Sequence, residues 1–168
     1  LLDPAFFLKS SKYETGTAMD IKQEIKQDLS DLFSDQNLAV LATHHSGQPY
    51  ASLVAFAATP DLKHLLFVTG TATRKFSNLQ SDPRAAMIID NRENQAMDIA
   101  RAMAATATGT TEIVPEEHAG DLKKLYLARH PHLEEFLESP STSLMQLRVK
   151  CYYVVRKFQH VTELHMDS

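Results

Sequence analysis

Two adjacent cations, Arg74 and Lys75, follow directly on Thr73 in the stretch Val68-Thr69-Gly70-Thr71-Ala72-Thr73-Arg74-Lys75-Phe76-Ser77-Asn78-Leu79. Thr73 is an N-cap residue: its hydroxyl can accept from a backbone N–H in the first helical turn. The cations then stand beside the unpaired N–H groups and positive dipole end of a short helix, where they oppose the dipole unless something negative compensates. A phosphate monoester is the ligand such a place suits.

The elements around this stretch must position it. Leu65 to Val68 is an apolar run that reads as a buried strand, Thr69 to Ala72 is a turn, and Asp82-Pro83 stops the helix. Upstream, Ile21, Ile25, Leu29, Leu32 and Phe33 recur at helical spacing from Asp20 to Asp35, with Asp20 as the expected N-cap. Strands follow at Leu38 to Thr43, Pro49 to Thr59 and His64 to Thr69, with Gly47 free to take positive φ in the first turn. Such short connections imply hairpins and an antiparallel meander. Arg84 to Asp90 is a fourth strand, and Asn91 to Asn94 a polar loop. Ala102 to Val114 is a fifth strand, interrupted by Gly109, which signals a bulge or a close backbone approach. Pro115-Glu116-Glu117 opens a helix with Leu122, Leu125 and Tyr126 inward. A second short helix carries Leu133, Phe136 and Leu137, and strands at Met145 to Phe158 and Val161 to His165 close the chain. The expected fold is α+β, mainly β: an antiparallel six- to seven-stranded split β-barrel with peripheral helices.

Composition narrows the partners. The chain has 168 residues, 43% hydrophobic and 23% charged, with a net charge of −4 and a pI near 6.0. That suits one packed domain and, without a basic run, argues against nucleic acid. No apolar stretch approaches a membrane span, and the Leu1–Leu8 segment, with Asp3 and Pro4, lacks the basic leader of a secretory signal. One cysteine, Cys151, in an apolar run reads as a small core residue rather than a nucleophile or ligand. The expected location is the reducing cytoplasm. Residues 1–18 read as an N-terminal extension, a native arm or an appended segment, and 19–168 as the domain; the Phe6-Phe7-Leu8 cluster would need an apolar groove to dock in.

Gly47-Gln48-Pro49-Tyr50 with Ser52 to Ala55, then Phe67 to Lys75, Asn78-Leu79 and Asp82-Pro83-Arg84, resemble the pyridoxamine 5′-phosphate oxidase-like, FMN-binding split-barrel family. The resemblance implies FMN in a cleft at a homodimer interface. The matching positions are Ser52, Leu53, Val54 and Ala55 on one strand, Val68 and Thr69 on the next, and Thr73, Arg74 and Lys75 at the phosphate. It implies an FMN-dependent oxidoreductase with a small-molecule or nicotinamide partner, and Asp90-Asn91-Arg92 reaching towards the flavin of the other subunit.

Departures from that family argue against pyridoxine phosphate oxidase activity. Ser52 stands where the oxidases proper carry an arginine, Ala104 falls near their fifth-strand glutamine, and the last strands lack their Arg- and Trp-bearing motif. No catalytic acid, base or nucleophile is identified; Ser52 and Ser77 have no His–acid pair in a recognisable arrangement. His44-His45 point opposite ways on a strand, and no His-x3-His or Cys-x2-Cys spacing exists, so no metal site is expected. The alternative function is a non-catalytic flavin-, deazaflavin- or haem-binding module for storage, sensing or electron transfer. A third is a structural partner protein with an empty cleft.

Overall fold

The computed structural model describes residues 18–156 and 160–166. The Phe6-Phe7-Leu8 cluster therefore lies outside the described residues. Helix α1 (Ala18–Asp35) leads into β1 (Leu38–His45), β2 (Gln48–Ala58) and β3 (His64–Gly70). Then come α2 (Arg74–Ser81), β4 (Arg84–Asp90), α3 (Asp98–Arg101), β5 (Ala104–Ile113) and α4 (Glu116–Arg129). A 3-10 turn (Pro131–Leu133), α5 (Glu134–Glu138), β6 (Thr142–Arg156) and β7 (His160–His165) complete the chain.

All strand pairs are antiparallel, in the order β3-β2-β1-β4-β5-β6-β7, and β3 also pairs with β6. That last pairing closes β1 to β6 into a barrel, with β7 as an added strand. The two strands share one edge of β6: β3 takes residues 142–148 and β7 takes 151–156.

The β1–β2 hairpin turns at Ser46 and Gly47, with φ of 48° and 81°. Two left-handed residues in a row match the right-handed twist of the strands. Gly109 performs the close approach its position implied. The β5–β6 register shifts between Thr108 and Gly109, and a Cβ on Gly109 would stand 1.9 Å from the Arg148 carbonyl oxygen. The shift also changes which way β6 side chains point. Met145, Leu147 and Val149 enter the core, and after the bulge so do Tyr152 and Val154.

The barrel interior is filled by Leu41, Phe56, Leu65, Phe67, Met87, Leu147 and their neighbours, and α1 adds Ile25, Leu29, Leu32 and Phe33. Phe33 sits edge-on to Phe56 at 5.7 Å and beside Tyr152 at 5.8 Å. Ile21, expected in the same stripe, is 43% exposed, because it precedes the turn that reaches the barrel. Asp20 lies inside the first turn rather than capping it, since the helix begins at Ala18. The loop after β4 holds a helix that apolar periodicity did not reveal, α3; the Asp98 carboxylate accepts from the Glu93 and Gln95 backbone N–H groups at 2.9 and 3.0 Å.

Helix α4 covers part of the outer face of the sheet. Tyr126 packs there with Ala57, Leu66, Val68 and Leu144. Arg129, in its last turn, donates to the Ser34 and Gln36 carbonyls at 2.7 Å each and so satisfies the end of α1. His130, the C-cap of α4, is buried with its Nε2 2.8 Å from the Phe56 carbonyl oxygen.

Burial lowers the His130 pKa from its ordinary value; the Phe56 carbonyl opposes the shift and the nearby Arg129 and His132 add to it. The unfolded chain therefore takes up a proton at higher pH than the folded one. The stability that neutral His130 contributes is complete above the ordinary imidazole value and is lost as pH falls below it. Urea midpoints should drop between about pH 7.5 and about pH 5.5, and drop less in a His130→Gln variant, whose amide can still donate to Phe56. His64, whose pKa is also lowered by burial, should leave a residual slope of the same sign.

Candidate functional site

The barrel splits where β2 leaves β3. These strands pair only at Phe56–Phe67, Ala57–Leu66 and Ala58–Leu65. Towards the β1–β2 turn, β2 continues paired to β1 alone, from Ala55 down to Gln48. Val68 to Gly70 continues paired to β6. The facing backbone edges of Ala51–Ala55 and Val68–Gly70 thus diverge into a fork, and a strand edge without a neighbour offers its N–H and C=O groups to a ligand.

Tyr126 stands at the crotch of this fork. It is 1% exposed, and its hydroxyl donates to the Ala55 carbonyl at 3.4 Å. Burial pushes the Tyr126 pKa up to about 12, against an opposing contribution from the Val68 backbone. One hydroxyl thus meets both strands just past their last ladder pair. Sequence periodicity placed Tyr126 on the inner face of its helix, but nothing local in the sequence shows which backbone its hydroxyl meets.

Helix α2 stands at the mouth of the fork. Thr73 is its N-cap, with φ −89° and ψ 152°, and accepts from the Phe76 N–H at 3.3 Å. The Thr73 hydroxyl donates to the Gly70 carbonyl at 2.8 Å and lies 3.0 Å from the Thr69 hydroxyl. With these bonds made, Thr73 positions the helix rather than offering a donor outward. Asn78, buried on the inner side, donates to Thr43 Oγ1 at 2.9 Å, and Leu79 enters the core. These contacts fix the helix to β1.

Arg74 and Lys75 occupy the first turn. Neither forms an ion pair with a carboxylate among the described residues, and that turn carries no acid. The Arg74 guanidinium lies 5.5 Å from the centre of the Tyr50 ring on β2. Arg84, by contrast, is committed: it forks onto Asp82 with contacts of 2.6 to 3.1 Å, and His44 Nε2 approaches the same carboxylate at 3.1 Å. Those bonds hold Asp82 well below the usual carboxylate range. Arg92 pairs with Asp90 at 3.1 Å.

Alternation divides the remaining candidates between two faces. Ser52 and Val54 share the inner face with Leu41 and Ala39, their partners on β1. Leu53 points outward and is 65% exposed. Ala55 and Val68 pack under α4, so their side chains serve that interface while their backbones border the fork. Thr69 is buried behind Thr73. The Ser52 hydroxyl is buried without a hydrogen-bond partner among the described residues. Such a group costs stability unless something else satisfies it. A groove of about 1160 Å³ lies at the other end of β3, where Lys63, His64, Glu112 and Arg148 meet. It includes none of the nine sequence-predicted residues.

The sequence pattern of pyridoxamine 5′-phosphate oxidase matches residues 25–156. The chain belongs to this family. No curated protein matches the sequence. Among solved structures, a haem-binding protein from Mycobacterium smegmatis shares the fold with a TM-score of 0.75 at 18% identity. The match covers 83% of this chain and 57% of that one, so the chain spans little more than half of that relative's length. An FAD-binding protein from Mesorhizobium loti matches with a TM-score of 0.61 and 14% identity, over 76% of this chain and 90% of that one. HutZ, the haem storage protein of Vibrio cholerae, matches with 0.64 and 14%, over 78% and 93%. At these identities the likeness shows the family's split barrel.

Removing the Tyr126 hydroxyl should loosen the fork without emptying the core. A Tyr126→Phe variant should lose about 1–2 kcal/mol in chemical denaturation, the cost of leaving one buried backbone acceptor unpaired. Its amide exchange should quicken at Val68 and Thr69 more than at β1.

Proposed function

We propose that this protein is an FMN-binding flavoprotein of the pyridoxamine 5′-phosphate oxidase family, working as a homodimeric FMN-dependent oxidoreductase on a small-molecule or nicotinamide partner. The observation that carries the reading is the pair Arg74–Lys75. Two cations that have no carboxylate partner among the described residues stand over the orphan N–H groups of α2, at the mouth of a strand fork bordered by Ser52, whose buried hydroxyl has no hydrogen-bond partner among those residues.

These residues fit FMN. Arg74 and Lys75 with the first turn of α2 would hold the phosphate, Arg by paired donors and Lys as a point charge. The diverging edges at 51–55 and 68–70 would supply backbone donors and acceptors to the ring system, with Ser52 a further polar group on β2. Bound FMN would supply the electron transfer itself, and the chain binds, orients and shields it. Ser52 and Ala104, in place of the larger polar residues of the oxidases proper, support a substrate other than pyridoxine phosphate.

The outer face supports the homodimer. Leu53, Val40, Ile88, Thr106 and Tyr153 are successive register partners across β2, β1, β4, β5 and β6. Leu38, at 55% exposed, and Val161, at 59%, extend the apolar surface beside them. A row of this kind favours contact with another apolar surface. A second copy is the partner the family resemblance implies, and Leu53 would bring the interface to the edge of the fork. A free cysteine and no disulfide among the described residues suit a reducing cytoplasm. No helix among the described residues is long and apolar enough to cross a membrane.

A second reading, a binding module for haem, flavin or deazaflavin without turnover, draws on the absence of an evident acid–base residue at the fork. It also draws on the haem proteins among the structural neighbours. The absorption spectrum of the purified protein separates these: a flavin spectrum supports FMN, a Soret band supports haem. Rapid bleaching by NADH or NADPH without oxygen would count against a passive binder.

The Arg74→Ala, Lys75→Ala double variant should keep its fold and lose FMN affinity by about 100-fold or more, as expected when two charge-assisted contacts go. Unchanged affinity in equilibrium dialysis would overturn the assignment. Leu53→Asp should shift the sedimentation coefficient from dimer to monomer, because it buries a charge in an apolar contact. A wild-type protein that already sediments as a monomer would overturn the dimer.

A further inference from the structure

One cluster on the outer face stands apart from the fork. Cys151 lies opposite His165 in the β6–β7 ladder, and Glu163 lies opposite Tyr153, the next residue on that face. One ligand atom from each of Cys151, Glu163 and His165 falls within 4.8 Å of the other two. The bulge at Gly109 makes this possible. Val149 and Tyr152 both enter the core, and Cys151 between them belongs to neither hydrophobic cluster. Cys151 is 3% exposed, while the Glu163 and His165 side chains are 51% and 64% exposed. The sulfur is therefore the floor of a small site, and the carboxylate and imidazole are its open mouth.

We propose that Cys151, Glu163 and His165 form a binding site for a divalent transition metal of the zinc type, with the fourth position open to water. Thiolate, imidazole and carboxylate together match zinc and its borderline-soft neighbours, whereas magnesium and calcium take oxygen ligands. The His165–Glu163 spacing is close to what a tetrahedral site requires. His165 Nε2 is 3.1 Å from Glu163 Oε2. Ligands about 2.0–2.2 Å from a zinc ion at tetrahedral angles stand about 3.4 Å apart. The Cys151 sulfur lies within 4.8 Å of both, where bonds of about 2.3 Å to sulfur and about 2.1 Å to nitrogen or oxygen set a spacing of about 3.6 Å. As the sulfur–metal bond forms, the thiol S–H bond breaks and its proton goes to solvent. The ion would tie β7 to β6; among the described residues, β6 is the only strand that β7 pairs with.

Metal-ligand spacings in the sequence give no hint of the site. Its ligands stand on two strands, and they share a face only because the bulge turns Cys151 outward. None of its residues lies at the fork, and Glu163 adjoins the outer-face row at Tyr153, its register partner.

Cobalt(II) titration of the full-length, reduced protein tests the proposal. Wild type should take up a single equivalent with a thiolate-to-cobalt charge-transfer band and the strong visible bands of tetrahedral cobalt. Zinc should displace the cobalt and raise the melting temperature. Cys151→Ser should abolish the charge-transfer band. Because Cys151 is buried, His165→Ala provides a second arm at an exposed position. It should weaken cobalt binding by more than about 100-fold, beyond the 10–100-fold typical of residues that only orient a ligand. A weak octahedral spectrum without the thiolate band, or equal affinity in wild type and His165→Ala, would overturn the site.

Discussion

The structure depends on a ladder that stops early. Strands β2 and β3 exchange only three register pairs before they part, and the barrel must be held together on both sides of the opening. On one side the Tyr126 hydroxyl takes over from the missing ladder bonds. On the other, Thr73, Asn78 and Leu79 fasten α2 to β3 and β1. Open backbone edges are costly and invite association. Here the opening is kept, flanked by a helix terminus and two cations.

A second constraint is the Gly109 bulge. Its backbone passes so near the Arg148 carbonyl that no side chain fits. The consequence is felt along β6, where the inward residues before and after the bulge are out of step. That change lets one 15-residue strand serve three neighbours: β5 along one edge, and β3 then β7 along the other. It also turns Cys151, buried as the sequence reads it, towards the face it shares with His165 of β7.

Much of the fold was legible because its signals are local. The α1 stripe, the Ser46-Gly47 turn, the Thr73 cap and the Gly109 irregularity each follow from a few adjacent residues. The helix start at Thr73-Arg74 could be recognised the same way. What escaped depends on pairing at a distance. The division of Ser52 and Val54 from Leu53, Ala55 and Val68 follows from strand parity and from where α4 lies. The Tyr126 hydroxyl and the placement of the Arg74 guanidinium near Tyr50 join residues far apart in the chain. Helix α3 was hidden because it is one turn long in a polar loop and held by the Asp98 carboxylate rather than by an apolar stripe.

Closure of the barrel by β3 and β6 has a consequence for how the molecule is made. His64 to Gly70 must find Thr142 to Arg148, so the ring cannot shut until the chain has been made through β6. Contacts of such long sequence separation form late and slowly. Until then one edge of β3 is bare and hydrophobic, a state in which nascent chains aggregate or recruit chaperones. The fork is bordered by that same strand, so its two edges take their final places only when β6 has arrived.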